Sequence, residues 1–413
     1  MQIPDVPAEL LTALVQAAEG RRLALVGGAV RDLLLHHQHR DPWRGLPDLD
    51  LVVEGRALAL VERLPALLPN GSSCAFREHG SFGTVEVELR LANGDTWLLD
   101  VASARQESYA SPGENPQVSL GSLDDDLARR DFSVNAIALL LGTASDGVVL
   151  LDPHHGQQDL AARRLRLLHA NSLVDDPTRL FRAARYAARL GFELDPSALE
   201  QARRVLQAWP WGWRPGSPPQ PVPPALGTRL RMELELMLDR EPWHEALDRL
   251  QAWGGLVLLD PGLQRNRRWP LALGRATRWG LPLLPVLIAC ADDPVALAQR
   301  LQVPHRHQRW LKGLVQLRRH AAALSPDQIR LWMAAQWTEW IEHQPDAEHV
   351  VPMALACGGV FRRPLLRWWL LWRHVQPATT AQDLLASGLR PGPAIGERLR
   401  QLRAERLQEL ECR

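Results

Sequence analysis

Two short stretches carry side chains whose types and spacing suit phosphate chemistry. In LVGGAVRDLL (residues 25–34), Gly27 and Gly28 end an apolar run, and Arg31 and Asp32 follow. In PDLDLVVEG (47–55), Asp48 and Asp50 are separated by one leucine. Alternate side chains of a strand share a face, so the two aspartates point together while Leu49 and Leu51 turn into the core. Paired like charges repel unless a divalent cation lies between them. Glycines between a strand and a helix let backbone N–H groups approach an anion at the helix N-terminus, with Arg31 near enough to add charge. A lone DxD is more often a solvated strand end; the strand–GG–helix before it makes the pattern specific. The combined chemistry is a nucleoside triphosphate held by backbone amides, with Mg²⁺ bridging its phosphates to Asp48 and Asp50. Two such ions roughly 3.5–4 Å apart activate an attacking hydroxyl and stabilise departing pyrophosphate. Asp100, ending TWLLD, is the candidate third carboxylate.

Such groups need strands to hold them. LALVGG, DLDLVV, GTVEVELRL, TWLLDVAS and GVVLLD read as strands, with helical patterns at VRDLLLHH, RALALVERLPALL and NAIALLL. Beyond about residue 155 strands become rare. VDDPTRLFRAARYAARLGF reads as a helix with Asp176 as its cap and Pro177 in its first turn. WPWGWRPGSPPQPVPPALG, residues 209–227, reads as an extended linker or surface loop. RLRMELELML, HEALDRLQAW and RRPLLRWWLLWRHV recur at helical spacing, and AIGERLRQLRAERLQEL reads as a charged amphipathic helix. The expected organisation is an α/β head over 1–145, a helical neck over 146–208, the linker 209–227, and an all-α body and tail over 228–413.

Bulk properties agree with two or more soluble domains. The 413 residues contain no apolar run long enough to span a membrane and no leader-like start, which makes the cytoplasm the expected location. Four scattered cysteines without a CxxC pair argue against a disulfide framework or a zinc site. The net charge is only +1, yet nearly every basic residue is arginine, and Lys312 is the one lysine. Arginine suits phosphate and base recognition, although a GC-rich genome gives the same bias. Of sixteen tryptophans only Trp43 and Trp97 precede residue 209, so the halves are built differently. The later tryptophans recur within apolar helical faces and read as core, with Trp209, Trp211 and Trp213 as exceptions.

Three further stretches follow in order: DDLARRDFSVNAIAL (125–139), LDPHHGQQDLAARRLRLLH (151–169) and DDPTRLFRAARYAARLGF (175–192). With GG and DxD they resemble the nucleotidyltransferases with a polymerase-β-like head. Within these they look most like the bacterial tRNA nucleotidyltransferases (CCA-adding enzymes) and poly(A) polymerases. The matching patterns are RRDF-x-x-NA, DPxxGxxDL and EDPxRxLRAxRFAxRL. The resemblance covers about residues 22–195, with a looser echo at LGTRLRMELELML. It implies a polymerase-β-like mixed sheet with helices, then an all-α neck, body and tail.

What the resemblance implies for single residues agrees with their chemistry. Arg129, Arg130 and Asp131 precede a helix expected to open at Phe132 and would meet a triphosphate or ribose; Asn135, one turn on, would hydrogen-bond a sugar hydroxyl. Asp176 and Arg179 are three apart on one helix face and would present acceptors and donors to C or A, selecting the incoming base. Arg182, Arg185 and Arg189 fall within an arc of about 60° and would form a basic stripe for phosphate or an RNA end.

Some features depart from the family. Asp175 stands where glutamate is usual. HHQHRDPWRG lengthens the spacer between the glycines and the aspartates and reads as a surface loop; His36, His37 and His39 have no second cluster to complete a metal site. No HD phosphohydrolase motif is present. DLDLVVEG, FGTVEV and DVASARQESYASPGENPQV look most like the branch that includes A-adding enzymes. The full-length segment between Arg105 and Arg130 speaks against CC-only addition.

The expected activity is template-independent transfer of CMP or AMP from CTP or ATP to a tRNA 3′ end. CCA addition, addition of the terminal A with a CC-adding partner, and poly(A) synthesis share these motifs. A small-molecule nucleotidyltransferase would lack the RRDF and DDPTR blocks, and a non-catalytic RNA-binding relative would have lost an aspartate.

Overall fold

The structure is a computed structural model. It describes the chain apart from residues 1–2, 5, 44, 46–48, 80–82, 111–112, 143–148, 209–222, 360 and 412–413. Contacts divide the chain into two compact units. One comprises Met1–Trp209 with Glu241–Gly254, the other Pro210–Arg240 with Gly255–Arg413.

In the first unit, helix α1 (Ala8–Ala17) leads into strand β1 (Leu23–Val26), helix α2 (Gly28–His39), strand β2 (Leu49–Val53) and helix α3 (Ala57–Arg63). A meander of β3 (Ser73–His79), β4 (Thr84–Arg90) and β5 (Thr96–Ser103) follows, then a hairpin of β6 (Arg105–Ser108) and β7 (Gln117–Leu120). Helix α4 (Leu123–Ala128) precedes β8 (Ala138–Leu140) and β9 (Val149–Leu151). The main sheet runs β3-β4-β5-β2-β1-β8-β9, and only β2 and β5 pair in parallel.

Alternation decides what this sheet presents. Leu49 and Leu51 of β2 are buried, while Asp50 between them lies on the opposite face. On the β1–β2–β8 side, Ala24, Val26, Val52 and Ala138 pack with Leu123 and Leu127 of α4. A capping box between Ser122 and Asp125 starts α4, so that helix is fixed at its first turn and along one face.

The same unit continues with α5 (Gly156–Ala161), α6 (Ser172–Asp175), α7 (Arg179–Leu190) and α8 (Pro196–Ala208). Helix α9 (Pro224–Arg240) belongs to the second unit, whereas α10 (Trp243–Ala252) returns to the first and packs on α7.

Several sequence expectations change. NAIALLL is not a helix, and no regular α-helix opens at Phe132. Ser133–Asn135 forms a single 3-10 turn, and β8 follows. A strand buried between neighbours is as continuously apolar as a buried helix, so periodicity could not separate the two. His36–His39, expected in a surface loop, form the last turn of α2. Pro224–Gly227, expected in the linker, form the first turn of α9, where proline is well tolerated. The rest of the linker, with Trp209, Trp211 and Trp213, lies outside the described residues apart from Pro223.

The described part of the second unit after Gly255 has helices and no β-strand. Trp269, Trp337, Trp368 and Trp372 are buried in it, as core rather than stacking platforms. At Gly227 a Cβ would stand 2.1 Å from the Arg300 carbonyl oxygen, so only glycine permits that approach.

Candidate active site

The glycine turn comes first. Gly27 precedes α2 at φ +70°, a conformation that disfavours any side chain. A Cβ there would meet Arg130 Nη1 at 3.3 Å and Asp50 Oδ2 at 3.5 Å. The absent side chain thus opens a cradle between a cation and a carboxylate. The first-turn amides of α2 have no intrahelical acceptor and suit an anion.

One cavity of about 250 Å³ gathers Gly27, Gly28, Asp50, Arg129, Arg130, Asp131, Asn135, Arg179, Arg182 and Tyr186. Nine of these ten are residues the sequence singled out, drawn from positions 27 to 182. Asp48 lies outside the described residues. Asp100 sits directly opposite Asp50 in the β2–β5 register, on the same sheet face, with Glu86 of β4 opposite it in turn. Asp100 lines a neighbouring groove of about 460 Å³ rather than the cavity itself.

Asp126, fully buried, orients two arginines. Arg129 Nη2 and Nε donate to its Oδ1 at 2.6 and 2.9 Å, and Arg130 Nη2 and Nε donate to Oδ2 at 2.9 and 3.2 Å. Arg129 Nη1 also donates to Glu107 Oε1 at 2.9 Å. Burial and then Glu107 push the Tyr109 phenol up to about 12. Arg179, expected to read a base, donates from Nη2 to the Arg129 carbonyl at 3.0 Å.

A second chain of contacts runs beneath the cavity. Arg31 Nε donates to Asp32 Oδ1 at 2.8 Å, and its Nη1 donates to Asn135 Oδ1 at 2.9 Å. Asn135 Nδ2 donates to Asp131 Oδ1 at 3.0 Å, and Arg182 Nη2 lies 2.8 Å from Asp131 Oδ2. Burial alone would raise the Asp131 pKa, but Arg182, Asn135, Arg179 and the Phe132 N–H hold it below the usual carboxylate range. Asp131 therefore orders Asn135 and Arg182. Burial opposes the charge of Arg31, yet Asp32 keeps its pKa raised.

Arg31, Asp32, Asp176 and Arg185 do not line the cavity. Asp176 is not the cap expected of it, nor is Pro177 in the first turn: α7 begins at Arg179 after Thr178, and Asp176, three residues before the helix, accepts from Thr178 N and Oγ1 at 3.1 and 2.7 Å to order the turn. The expected basic stripe is largely neutralised: Arg182 pairs with Asp131, while Arg185 and Arg189 approach Glu241 at 3.2 and 3.3 Å.

Three contributors escaped the sequence reading. Asp126 was legible, lying three and four residues before Arg129 and Arg130 on one helix. Tyr186 was too, at i+4 from Arg182 on the cavity face; Arg31 and Arg189 stand 5.4 and 5.2 Å from its ring centre. Glu107 carried no local signal, because the hairpin alone brings it to Arg129.

A phosphate cradle, a strand carboxylate and a wall of oriented arginines define a nucleotidyltransferase head. The sequence pattern of the poly A polymerase head domain matches residues 23–166. The A-adding tRNA nucleotidyltransferase of Halalkalibacterium halodurans is 29% identical over 411 residues, covering 97% of this chain and 88% of the relative. The CC-adding tRNA nucleotidyltransferase of Deinococcus radiodurans is 37% identical over 310 residues, 70% of each chain. A solved CCA-adding enzyme, apo form II, superposes with a TM-score of 0.70 at 22% identity, covering 99% of this chain and 96% of that one. The chain belongs to the tRNA nucleotidyltransferase family and is an enzyme of it, with that family's mixed-sheet head and helical C-terminal region.

Proposed function

We propose that the protein transfers nucleotides from CTP or ATP to the 3′ end of tRNA, completing CCA or adding its terminal A. The carrying observation is the single cavity that joins the α2 N-terminus and Asp50 to four arginines. It offers a triphosphate both amides and cations, and it leaves Asp50 at one edge for the reacting phosphorus.

Asp50 and Asp100 fit a hard divalent cation, which Asp48 would help to hold. Asp50 and Asp100 are in register on one face, and a Cβ at Gly27 would lie 3.5 Å from Asp50 Oδ2, so glycine leaves room beside that carboxylate. When bound, Mg²⁺ supplies Lewis-acid polarisation of the phosphates and a lowered pKa for the attacking hydroxyl. The chain's own residues do the rest. The Gly27–Gly28 turn admits the triphosphate. Arg129 and Arg130, fixed by Asp126, counter its charge as pyrophosphate departs. Asn135, held by Arg31 and Asp131, meets the ribose. Arg179, at the start of α7, and Asp176, three residues before it, select C or A. The helical second unit supports the acceptor arm through shape and phosphate contacts.

The test is incorporation of labelled CTP and ATP, singly and together, into three transcripts: a tRNA ending at its discriminator base, one ending in CC, and an unrelated single strand. CCA on the first transcript establishes complete addition. A single A confined to the second means an A-adding enzyme working with a CC-adding partner. Long A tails on the third mean a poly(A) polymerase, and no incorporation anywhere overturns the proposal.

A further inference from the structure

We propose that the groove beside Asp100 seats the nucleotide at the 3′ end of the acceptor strand, a cytidine at the step that adds A; this rests on the proposed transfer to tRNA. The groove, of about 460 Å³, lies on the face of β3, β4 and β5 that carries Asp100. Strand register lays out its floor. Arg77 stands opposite Glu86, Glu86 opposite Asp100, and Asp100 opposite Asp50, so one row of side chains runs from the groove to the cavity that Asp50 lines. Two residues along each strand, Ala75, Glu88 and Leu98 form the next row on the same face.

In-line displacement decides which reactant this groove serves. The cavity lined by Gly27, Gly28, Arg129 and Arg130 takes the triphosphate, so pyrophosphate departs on that side. The attacking hydroxyl approaches from the opposite side of the phosphorus. In the sheet order β3-β4-β5-β2-β1, Gly27 follows β1, and the groove lies at the other end, over β5, β4 and β3. Asp50 of β2 and Asp100 of β5 stand between the two. A strand end lodged in the groove thus meets the paired carboxylates from the side away from Arg129 and Arg130.

The floor matches a nucleotide group by group. Leu98 is 50% exposed, an apolar side chain on an open sheet face that a ribose or a base would cover. Arg77 is exposed and makes no ion pair or hydrogen bond among the described residues, so its guanidinium is available to a phosphate. His79 Nε2 lies 3.0 Å from Glu86 Oε2 and engages that carboxylate. Glu88, also exposed, has no such partner among the described residues. A carboxylate accepts from the N4 amino group of cytosine, whereas uracil presents an acceptor at that position. Arg77 and Glu88 thereby distinguish the two ends of one nucleotide, phosphate and base.

The experiment uses the full-length protein and a tRNA ending in CC whose last base is 5-iodocytosine. Ultraviolet crosslinking and peptide mapping by mass spectrometry should place the adduct in β3, β4 or β5. An adduct confined to other segments, from a parent that still adds AMP to this tRNA, would overturn the inference and leave the proposed activity standing. A parent that adds nothing to any tRNA would overturn both. Kinetics supply the second measurement. Arg77→Ala should raise the KM for tRNA by about tenfold, with the KM for ATP and the melting temperature unchanged. The parent should extend a CC-ended tRNA about tenfold better than a CU-ended one, and Glu88→Ala should erase most of that preference. An unchanged KM for tRNA in Arg77→Ala, or an unchanged preference in Glu88→Ala, would overturn the role assigned to that residue.

Discussion

The two walls of the cavity are held in place by different means. On one side Asp50 and Asp100 face each other across the parallel β2–β5 pairing, Asp50 in the cavity and Asp100 in the adjoining groove. On the other, Arg129, Arg130, Arg179 and Arg182 are each oriented by a contact at their rear: Asp126, the Arg129 carbonyl or Asp131. Neighbouring carboxylates of like charge repel each other and gain from a bound cation, whereas the arginines are oriented before any ligand binds. The carboxylate wall should therefore answer to mutation in turnover, and the arginine wall in stability and nucleotide affinity together.

The sharpest way to break this contrast is Asp50→Ala. Incorporation should fall by about a thousandfold or more, with the melting temperature unchanged or higher and tRNA retention on filters intact. A melting temperature that fell with activity would show Asp50 to be part of the scaffold. Asp126→Asn should do the opposite. Breaking this buried charge network should cost about 3 kcal/mol of stability and raise the apparent KM for nucleotide, with a smaller change in kcat. Denaturant titration and initial rates on one preparation decide it.

Arg179→Ala should reduce discrimination between correct and incorrect nucleotides by roughly 10- to 100-fold and leave tRNA affinity nearly unchanged. Equal loss for all nucleotides with weaker RNA binding would remove its selective role. A smaller effect concerns acid. The pKa of Asp131 is depressed in the folded state, so the stability it contributes is present above its unfolded value, about 3.9. That contribution disappears as pH falls through the lower folded value. Urea midpoints below about pH 4 should therefore decline less steeply for Asp131→Asn than for the parent. Smallest of all, Tyr186→Phe should change stability by under about 0.5 kcal/mol, because its ring makes the contacts with Arg31 and Arg189, and its hydroxyl only accepts from Arg182 Nη2 at a long 3.4 Å.

Legibility in the sequence followed the range of the forces involved. Gly27, Asp50 and the Arg129–Arg130–Asp131 block are local patterns, and the fold gathers them as expected. Asp100 was chosen for ending a strand; its register opposite Asp50 depends on a parallel pairing that spans the whole β3–β4 meander. NAIALLL misled because burial on both faces erases periodicity. The basic stripe on α7 misled for another reason, since Glu241 lies beyond the linker and nothing near Arg185 announces it.

The return of α10 to the first unit has a consequence for the chain as a thread. The backbone passes between the units within 209–222, again at Arg240–Glu241 and once more at Gly254–Gly255. One cut in 209–222 would therefore not separate them. The later piece would still carry Glu241 and α10, seated against α7 of the earlier piece. A fragment made by stopping at residue 208 would lose that helix and leave Arg185 and Arg189 without Glu241. The catalytic half is thus a discontinuous object, better recovered by nicking the whole chain than by truncating it.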